Sequence, residues 1–397
     1  PIIIGTRSAI FTPMKNPGML IVDEEHDSSY KQQDGLRYHA RDLAVMRAAQ
    51  EKIPLILGSA TPALESLNNA LNGKYQHLIL NERAGNASHP KQQVLDIRNQ
   101  PLEFGLAKGI IERIGQHLAQ ESQVMLFINR RGYAPALVCH TCGHVEECPG
   151  CNKPYTLHKQ LYKLQCHHCG SAKAIPKRCQ SCNSTELSAM GLGTEQLEQG
   201  LQTLFPQYTS VRIDSDSARG KNRLNDMLDK INRNEYQILI GTQILSKGHH
   251  FPNVTLVVIL EVDGALFSAD YRAAEHLAQL VTQLAGRAGR AEKPGEMWLQ
   301  THDPSHPLLQ DLLNNGYSHF ARYALLEREQ AMLPPLTYQA LFRAQSSDPR
   351  LANQLLMDIS MQFSYSKHVQ CIGPLPALME KRQGKFRMQL VLSSRNR

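Results

Sequence analysis

Short apolar runs separated by longer amphipathic stretches set the rhythm of this chain. Residues 18–23, 54–58, 123–129, 237–241, 254–261 and 296–301 are near-continuous in Ile, Val and Leu, the pattern of strands covered on both faces. Between them, residues 40–52, 63–71, 194–204, 222–232 and 272–285 repeat apolar positions every three to four residues and predict helices. Strand and helix alternate in two blocks, which predicts a parallel α/β architecture occurring twice. The polar stretch from about residue 81 to 100 reads as a linker between the blocks. Ile2-Ile3-Ile4 before Gly5-Thr6 reads as a buried strand running into a loop, so the chain is expected to begin inside a domain. After Thr301 the pattern changes to helices over 308–330, a break at Leu333-Pro334-Pro335, and strand-like segments to Arg397, a third domain expected to be cut short.

Composition narrows the class without naming a function. With 397 residues, 42% of them hydrophobic, the chain can bury two or three cores, and no apolar run approaches the length of a membrane span. The formal net charge of +7 favours an anionic partner and leaves its chemistry open.

Eight of the nine cysteines form four Cys-x-x-Cys pairs: Cys139/Cys142, Cys148/Cys151, Cys166/Cys169 and Cys179/Cys182. Four sulfurs fill one tetrahedral zinc site, so eight imply two. The stretch between Cys151 and Cys166 is long enough for an out-and-back hairpin, which groups Cys148, Cys151, Cys166 and Cys169. The outer pairs, Cys139, Cys142, Cys179 and Cys182, then close a second site around the first. Pairing of sequential neighbours is tighter but stays open, and a disulfide framework fits a small secreted chain better than this one. His140, His144, His158, His167 and His168 lie nearby, but eight thiolates already saturate two tetrahedra. Cys371 stands alone and reads as a buried reduced thiol.

Two further clusters carry chemistry. Asp23-Glu24-Glu25-His26 follows the strand at 18–23, at the end of an open α/β sheet where ligands bind. One carboxylate there can hold Mg²⁺, and a neighbour can orient a water that attacks a phosphoryl group. Gly58-Ser59-Ala60-Thr61-Pro62 follows the next strand and can sense the state of the acids. In the second block, Gln283-Leu284-Ala285-Gly286-Arg287-Ala288-Gly289-Arg290 sets two arginines three apart, which suits a triphosphate or, more plainly, a solvated basic patch. Between Asp27 and Asp42, aromatic residues alternate with cations, among them Tyr30, Arg37 and Tyr38, a combination that stacks on bases while holding phosphates.

In this order and on these elements, the Asp-Glu-Glu-His run, the Ser-Ala-Thr-Pro segment and Gln-x-x-Gly-Arg-Ala-Gly-Arg resemble motifs II, III and VI of superfamily 2 helicases. The cysteine-rich insertion, Gly191-Leu192-Gly193-Thr194-Glu195-Gln196 and Gly241-Thr242-Gln243-Ile244-Leu245-Ser246-Lys247-Gly248-His249-His250-Phe251 narrow the resemblance to the bacterial primosomal helicases that restart stalled forks. The resemblance implies two RecA-like lobes, the first incomplete, with a two-zinc insertion in the second and a truncated α+β domain. The implied boundaries are 1–82 for the first lobe, 83–105 for the linker, 106–138 with 189–301 for the second lobe, 139–188 for the insertion and 302–397 for the last domain.

It also implies roles. Asp23 would bind Mg²⁺, Glu24 would position water and His26 would couple nucleotide and DNA sites. Gly58, Ser59, Thr61 and Gly248 would adjoin ATP, with Arg287, Arg290 and Gln283 reaching it from the second lobe. Arg7, Tyr30, Arg37, Tyr38 and Lys247 would contact DNA, and the nested cysteine pairing would hold two zinc ions. Implied partners are forked and single-stranded DNA, primosome proteins, single-strand-binding protein and the loader of the replicative helicase, in the bacterial cytoplasm. No Gly-x-x-x-x-Gly-Lys-Ser/Thr occurs in the sequence, so the phosphate-cradling loop is expected before Pro1. Two other readings stay open: a zinc scaffold without catalysis, and a duplex translocase that does not separate strands.

Overall fold

The computed structural model describes residues 2–33, 35–80, 90–129, 136–150, 154–158, 162–167, 169–189, 194–213, 221–241, 251–268, 270–286, 295–363 and 365–396. They fall into two compact units, residues 1–79 and 80–397, each described by itself.

In the first unit, strand β1 (Leu20–Val22) pairs in parallel with β2 (Leu55–Leu57), and helix α1 (Ala40–Glu51) connects them. Helix α2 (Leu64–Leu71) follows β2. The expected strands are present, but not covered on both faces: Ile21 and Ile56, paired in register, are 66% and 49% exposed. Ile2 to Thr6 corrects the expectation of a buried strand. These residues are extended but join no sheet, and Ile2 and Ile4 are more than nine-tenths exposed. An apolar run becomes a strand only where a neighbour takes its hydrogen bonds, and among the described residues this unit's sheet has two strands.

The second unit opens with β3 (Lys91–Asp96), then a hairpin of β4 (Leu102–Glu103) and β5 (Leu106–Ala107), helix α3 (Lys108–Ala119) and strand β6 (Gln123–Ile128). The linker expected over 83–105 is corrected here, because β3 pairs along its whole length with a strand at Glu296–Thr301. It is an edge strand, where polar side chains such as Lys91 and Gln92 are tolerated while Leu95 packs inward.

A cysteine-rich insertion carries β7 (Leu137–Cys139), β8 (Thr156–His158), β9 (Lys163–Gln165), β10 (Ala172–Ala174) and β11 (Leu187–Ala189). The chain then returns to α4 (Thr194–Leu204), β12 (Ser210–Ile213), α5 (Lys221–Asn232), β13 (Ile238–Gly241), β14 (Val254–Leu260), α6 (Asp263–Leu266), α7 (Ala273–Ala285) and β15 (Glu296–Thr301). Six strands form one all-parallel sheet in the order β12-β13-β6-β14-β15-β3. Val124, Leu126 and Ile128 alternate with Met125 and Phe127 along β6. The first set packs with Ile110, Ile114, Leu197 and Leu201 of α3 and α4. Leu277, Val281 and Leu284 of α7 are buried too, and β6 and β14 are buried at every position.

Helix α8 (Pro307–Gln330), broken at Gly316 where φ is 78°, joins this sheet unit to the last domain. Arg328 Nη2 lies 2.6 Å from Glu275 Oε2 of α7, both groups buried, and its guanidinium sits over the Tyr271 ring. The last domain is β16 (Tyr338–Ser346), α9 (Pro349–Phe363), β17 (Val369–Arg382) and β18 (Lys385–Ser394), an antiparallel sheet ordered β16-β18-β17 with Leu356 of α9 packed against Leu390 and Leu392. Helix α9 was not expected among strand-like segments. Its signal is Asp348, whose carboxylate accepts the Arg350 N–H, followed by Pro349 at the first helical position. Cys371 is half-buried and packs at the edge of this cluster.

Candidate functional site

The loop after β1 is stitched to the turn after β2. Gly58 N–H donates to the Val22 carbonyl at 2.9 Å, and Glu25 N–H to the Gly58 carbonyl at 3.0 Å. This closeness sorts the three acids. Asp23 and Glu24 are exposed, whereas Glu25 is 1% exposed and accepts from Ala63 N–H (2.7 Å), Ser66 Oγ (2.8 Å) and Arg41 Nη1 (3.2 Å). Glu25 thus fastens the acid run to the start of α2, where a helix favours negative charge. Glu24 sits in the left-handed region with φ 48°, a costly conformation for a residue with a side chain, and its N–H donates to Asp23 Oδ1 at 3.0 Å. The result is a pair of exposed carboxylates on a backbone held by buried bonds.

His26 links this run to the second turn. Its Nδ1 lies 2.7 Å from Ser59 Oγ and 3.5 Å from Glu24 Oε2, and Ser59 Oγ also accepts the Thr61 N–H at 2.9 Å. Thr61 Oγ1 is buried without a partner. An added Cβ at Gly58 would meet Asp23 Oδ1 at 3.6 Å, so the glycine turn borders the acid directly. A protonation or charge change at Glu24 is therefore two contacts from the Ser59–Thr61 turn.

Arg7, Tyr30 and Tyr38 converge on one segment. Arg7 Nη1 donates to the Ser29 and Lys31 carbonyls (2.9 and 3.3 Å), Tyr30 OH donates to the Asp23 carbonyl at 2.8 Å, and the Tyr38 ring meets Phe11 edge-on at 4.9 Å. Lys31 bridges His39 across a small antiparallel turn, leaving Arg37 exposed at its end. Burial, with Asp27 adding, pushes the Tyr30 hydroxyl upward, so it stays a donor. Gln283 lies on α7. Arg287, Arg290, Lys247, Gly248, the Gly191–Gly193 run and residues 242–250 lie outside the described residues.

Asn129 was missed by sequence reasoning. It follows β6 at the carboxyl ends of the parallel strands, buried, with Nδ2 unpartnered. Its signal was available: a polar residue closing a fully apolar run.

The cysteines gather in two nested clusters. The thiols of Cys139, Cys142, Cys179 and Cys182 lie within 4.8 Å of one another, as do those of Cys148, Cys166 and Cys169; Cys151 lies outside the described residues. Cross-pair sulfur distances are 3.6 Å for Cys139–Cys182, 3.7 Å for Cys142–Cys179 and 3.6 Å for Cys148–Cys169. A tetrahedral zinc with Zn–S of about 2.3 Å sets its sulfurs about 3.8 Å apart, so these residues fit that ion. Strand pairing produces the nesting: β7 with β11 brings the ends of the insertion together, and β8 with β9 forms the inner hairpin.

Three of the turns share one geometry. Cys139, Cys166 and Cys179 each donate N–H to the carbonyl five residues on, at His144, Ser171 and Ser184 (2.9, 2.8 and 2.8 Å). Each also accepts from the residue after its partner cysteine, Gly143, Gly170 or Asn183, all three left-handed with φ 77°, 81° and 66°. The Ser171 hydroxyl, 3.2 Å from Cys148 Sγ, pulls that thiol down to about 6, whereas burial pushes Cys142 up to about 12.

The neighbouring histidines point elsewhere. His140 Nδ1 lies 2.9 Å from His302 Nε2, whose Nδ1 is 2.6 Å from Asp263 Oδ2, and this chain seats the outer cluster on the six-stranded sheet. His158 pairs with Glu380 of β17 and lies 2.9 Å from His167 Nε2, seating the inner cluster on the last domain. His144 Nε2 lies 3.7 Å from Glu146 Oε1, and His168 lies outside the described residues.

Comparison with known proteins agrees with these parts. Residues 179–292 match the helicase conserved C-terminal domain, residues 148–173 the PriA DNA helicase Cys-rich region and residues 329–397 the primosomal protein N C-terminal domain. The chain is 54% identical to the replication restart protein PriA of Haemophilus influenzae, over all of this chain and 54% of that one. To the Bacillus subtilis protein of the same name it is 36% identical over 98% of this chain and 49% of that one. It thus spans about half the length of these relatives. A structure of RecG bound to a three-way DNA junction covers 78% of this chain, and this chain 30% of it, at 14% identity and a TM-score of 0.41. Among the described residues no helix is long and apolar enough to cross a membrane. From the identity along its whole length and the three matched regions, the chain belongs to the PriA family of replication restart proteins.

Proposed function

We propose that this chain is part of an ATP-dependent DNA helicase that moves 3′ to 5′ at stalled or abandoned forks and promotes primosome assembly. The observation that carries the reading is the sorting of the acid run: Glu25 is spent on structure, and Asp23 and Glu24 are left exposed at a strand end beside the His26–Ser59 contact. Asp23 suits Mg²⁺, which would neutralise charge on the phosphates of ATP. Glu24 is the base that orients water, and His26 passes its state to Ser59 and Thr61. Gly58 would let the nucleotide approach closely, Gln283, Arg287, Arg290 and Gly248 would also bind ATP, and Arg290 would be the finger that meets developing charge.

DNA would be held by Arg37, Lys247 and the faces of Tyr30 and Tyr38, with Arg7 fixing the segment that carries both tyrosines. Two zinc ions would sit on Cys139, Cys142, Cys179 and Cys182, and on Cys148, Cys151, Cys166 and Cys169. With four thiolates each, they cross-link the chain and offer no position for a reactive water. Primosome proteins, single-strand-binding protein and the helicase loader are the proposed protein partners, in the bacterial cytoplasm. Strand displacement by a longer chain that includes the phosphate loop tests the reading. Partial duplexes with a 3′ single-stranded tail should be unwound and those with a 5′ tail should not; displacement of neither overturns it in favour of a translocase or scaffold.

A further inference from the structure

Two equivalent serines do different things. Ser171 and Ser184 occupy the same place in their turns, each supplying the carbonyl that accepts the first cysteine's N–H. Ser184 Oγ lies 2.8 Å from Thr141 Oγ1, a contact between hydroxyls. Ser171 Oγ instead reaches across the inner site to Cys148 Sγ, at 3.2 Å. Behind it, Tyr155 OH lies 3.0 Å from Ser171 Oγ, and Lys173 Nζ stands 5.0 Å above the Tyr155 ring while paired to buried Glu146.

A metal-bound thiolate can only accept, so the direction of these bonds is fixed once Cys148 is a ligand. Ser171 must donate to the sulfur, which leaves its oxygen to accept from Tyr155. Tyr155, 4% exposed and held by the Lys173 cation on its face, supplies that donor. Hydrogen bonds to ligating groups orient them and stabilise the charged form, and losing one typically costs about 10–100-fold in metal affinity.

We infer that the Tyr155–Ser171 pair is a positioning device for the inner metal, making the inner site the tighter of the two. The inference rests on the zinc reading above. Its test is chelator competition on the zinc-loaded chain with 4-(2-pyridylazo)resorcinol, the two release steps being assigned with Cys169→Ser and Cys182→Ser. The outer zinc should leave first. Ser171→Ala should weaken the inner site by about 10–100-fold and spare the outer one, Ser171→Thr should restore it, and Tyr155→Phe should give a partial loss. Residue 171 is exposed, so the alanine variant should keep its fold. With Co²⁺ in place of zinc, the sulfur-to-metal charge-transfer band should move to lower energy in Ser171→Ala, since an unbonded thiolate gives up charge more easily. Unchanged inner affinity and band, or equal weakening of both sites, overturns the inference. A chain that binds fewer than two zinc ions overturns the zinc reading beneath it instead.

Discussion

Neighbouring side chains of one type diverge when the fold gives them different surroundings. Glu25 has lost its water and gained three donors, so Glu25→Ala should destabilise the first unit by about 3–5 kcal/mol, leaving Arg41 buried and underpaired. Glu24→Gln, at an exposed position, should change stability by less than about 0.5 kcal/mol. Urea unfolding of both variants checks the contrast. Glu296 offers a second case: Arg113 hydrogen-bonds its carboxylate and holds it down to about 2, against 4.5 for an ordinary glutamate. A depressed folded value stabilises above the unfolded one, so this contribution is present above about pH 4.5 and is lost as pH falls toward 2. Glu296→Gln should lower the melting temperature at pH 7, and the gap to the parent should close as pH approaches 2. None of these partners was legible in the sequence, because Arg41, Ala63 and Ser66 lie 16, 38 and 41 residues from Glu25. The types Asp-Glu-Glu-His announce chemistry, but only packing tells which acid is buried in structural bonds and which stay exposed.

At the scale of elements, periodicity was read well wherever both faces are buried. The runs that form β6, β13 and β14 are visible because a parallel strand under helices needs few polar positions. Strand β3 was misread for the converse reason: at an edge, Lys91, Gln92 and Gln93 cost little, and they look like a linker. Helix α9 was hidden by Ile359 and Phe363, which suit a strand equally until Asp348-Pro349 is read as a start. Spacing favours the nested cysteine grouping without closing the alternative of sequential pairs, and the β8–β9 pairing between Cys151 and Cys166 is the hairpin that the spacing predicts. Metal analysis should find two zinc ions per chain, with Cys148→Ser releasing one and Cys179→Ser the other. If both substitutions release the same ion, the nesting is wrong.

For the whole molecule, the second unit joins three parts through buried polar contacts. His140 and His302 seat the outer cluster on the sheet, His158 and Glu380 seat the inner cluster on the last domain, and Arg328 with Glu275 holds α8 to α7. Helix α7 ends at Gly286, and Arg287 and Arg290 lie outside the described residues. In a longer chain containing the phosphate loop, Arg290→Ala should lower ATP turnover on the order of a thousandfold while leaving fork affinity near the parent's at fixed salt. Weakened fork binding with near-normal turnover would move Arg290 to the DNA track.

The most direct measurement is ATP hydrolysis by that longer chain, with and without forked DNA, against its Glu24→Gln variant. Glu24 is exposed, so the variant should fold and bind DNA as the parent does. The account predicts DNA-stimulated turnover in the parent and its near-complete loss in the variant. Equal turnover in the two, or none in the parent at any DNA concentration, would contradict the assignment of the acid run to phosphate chemistry.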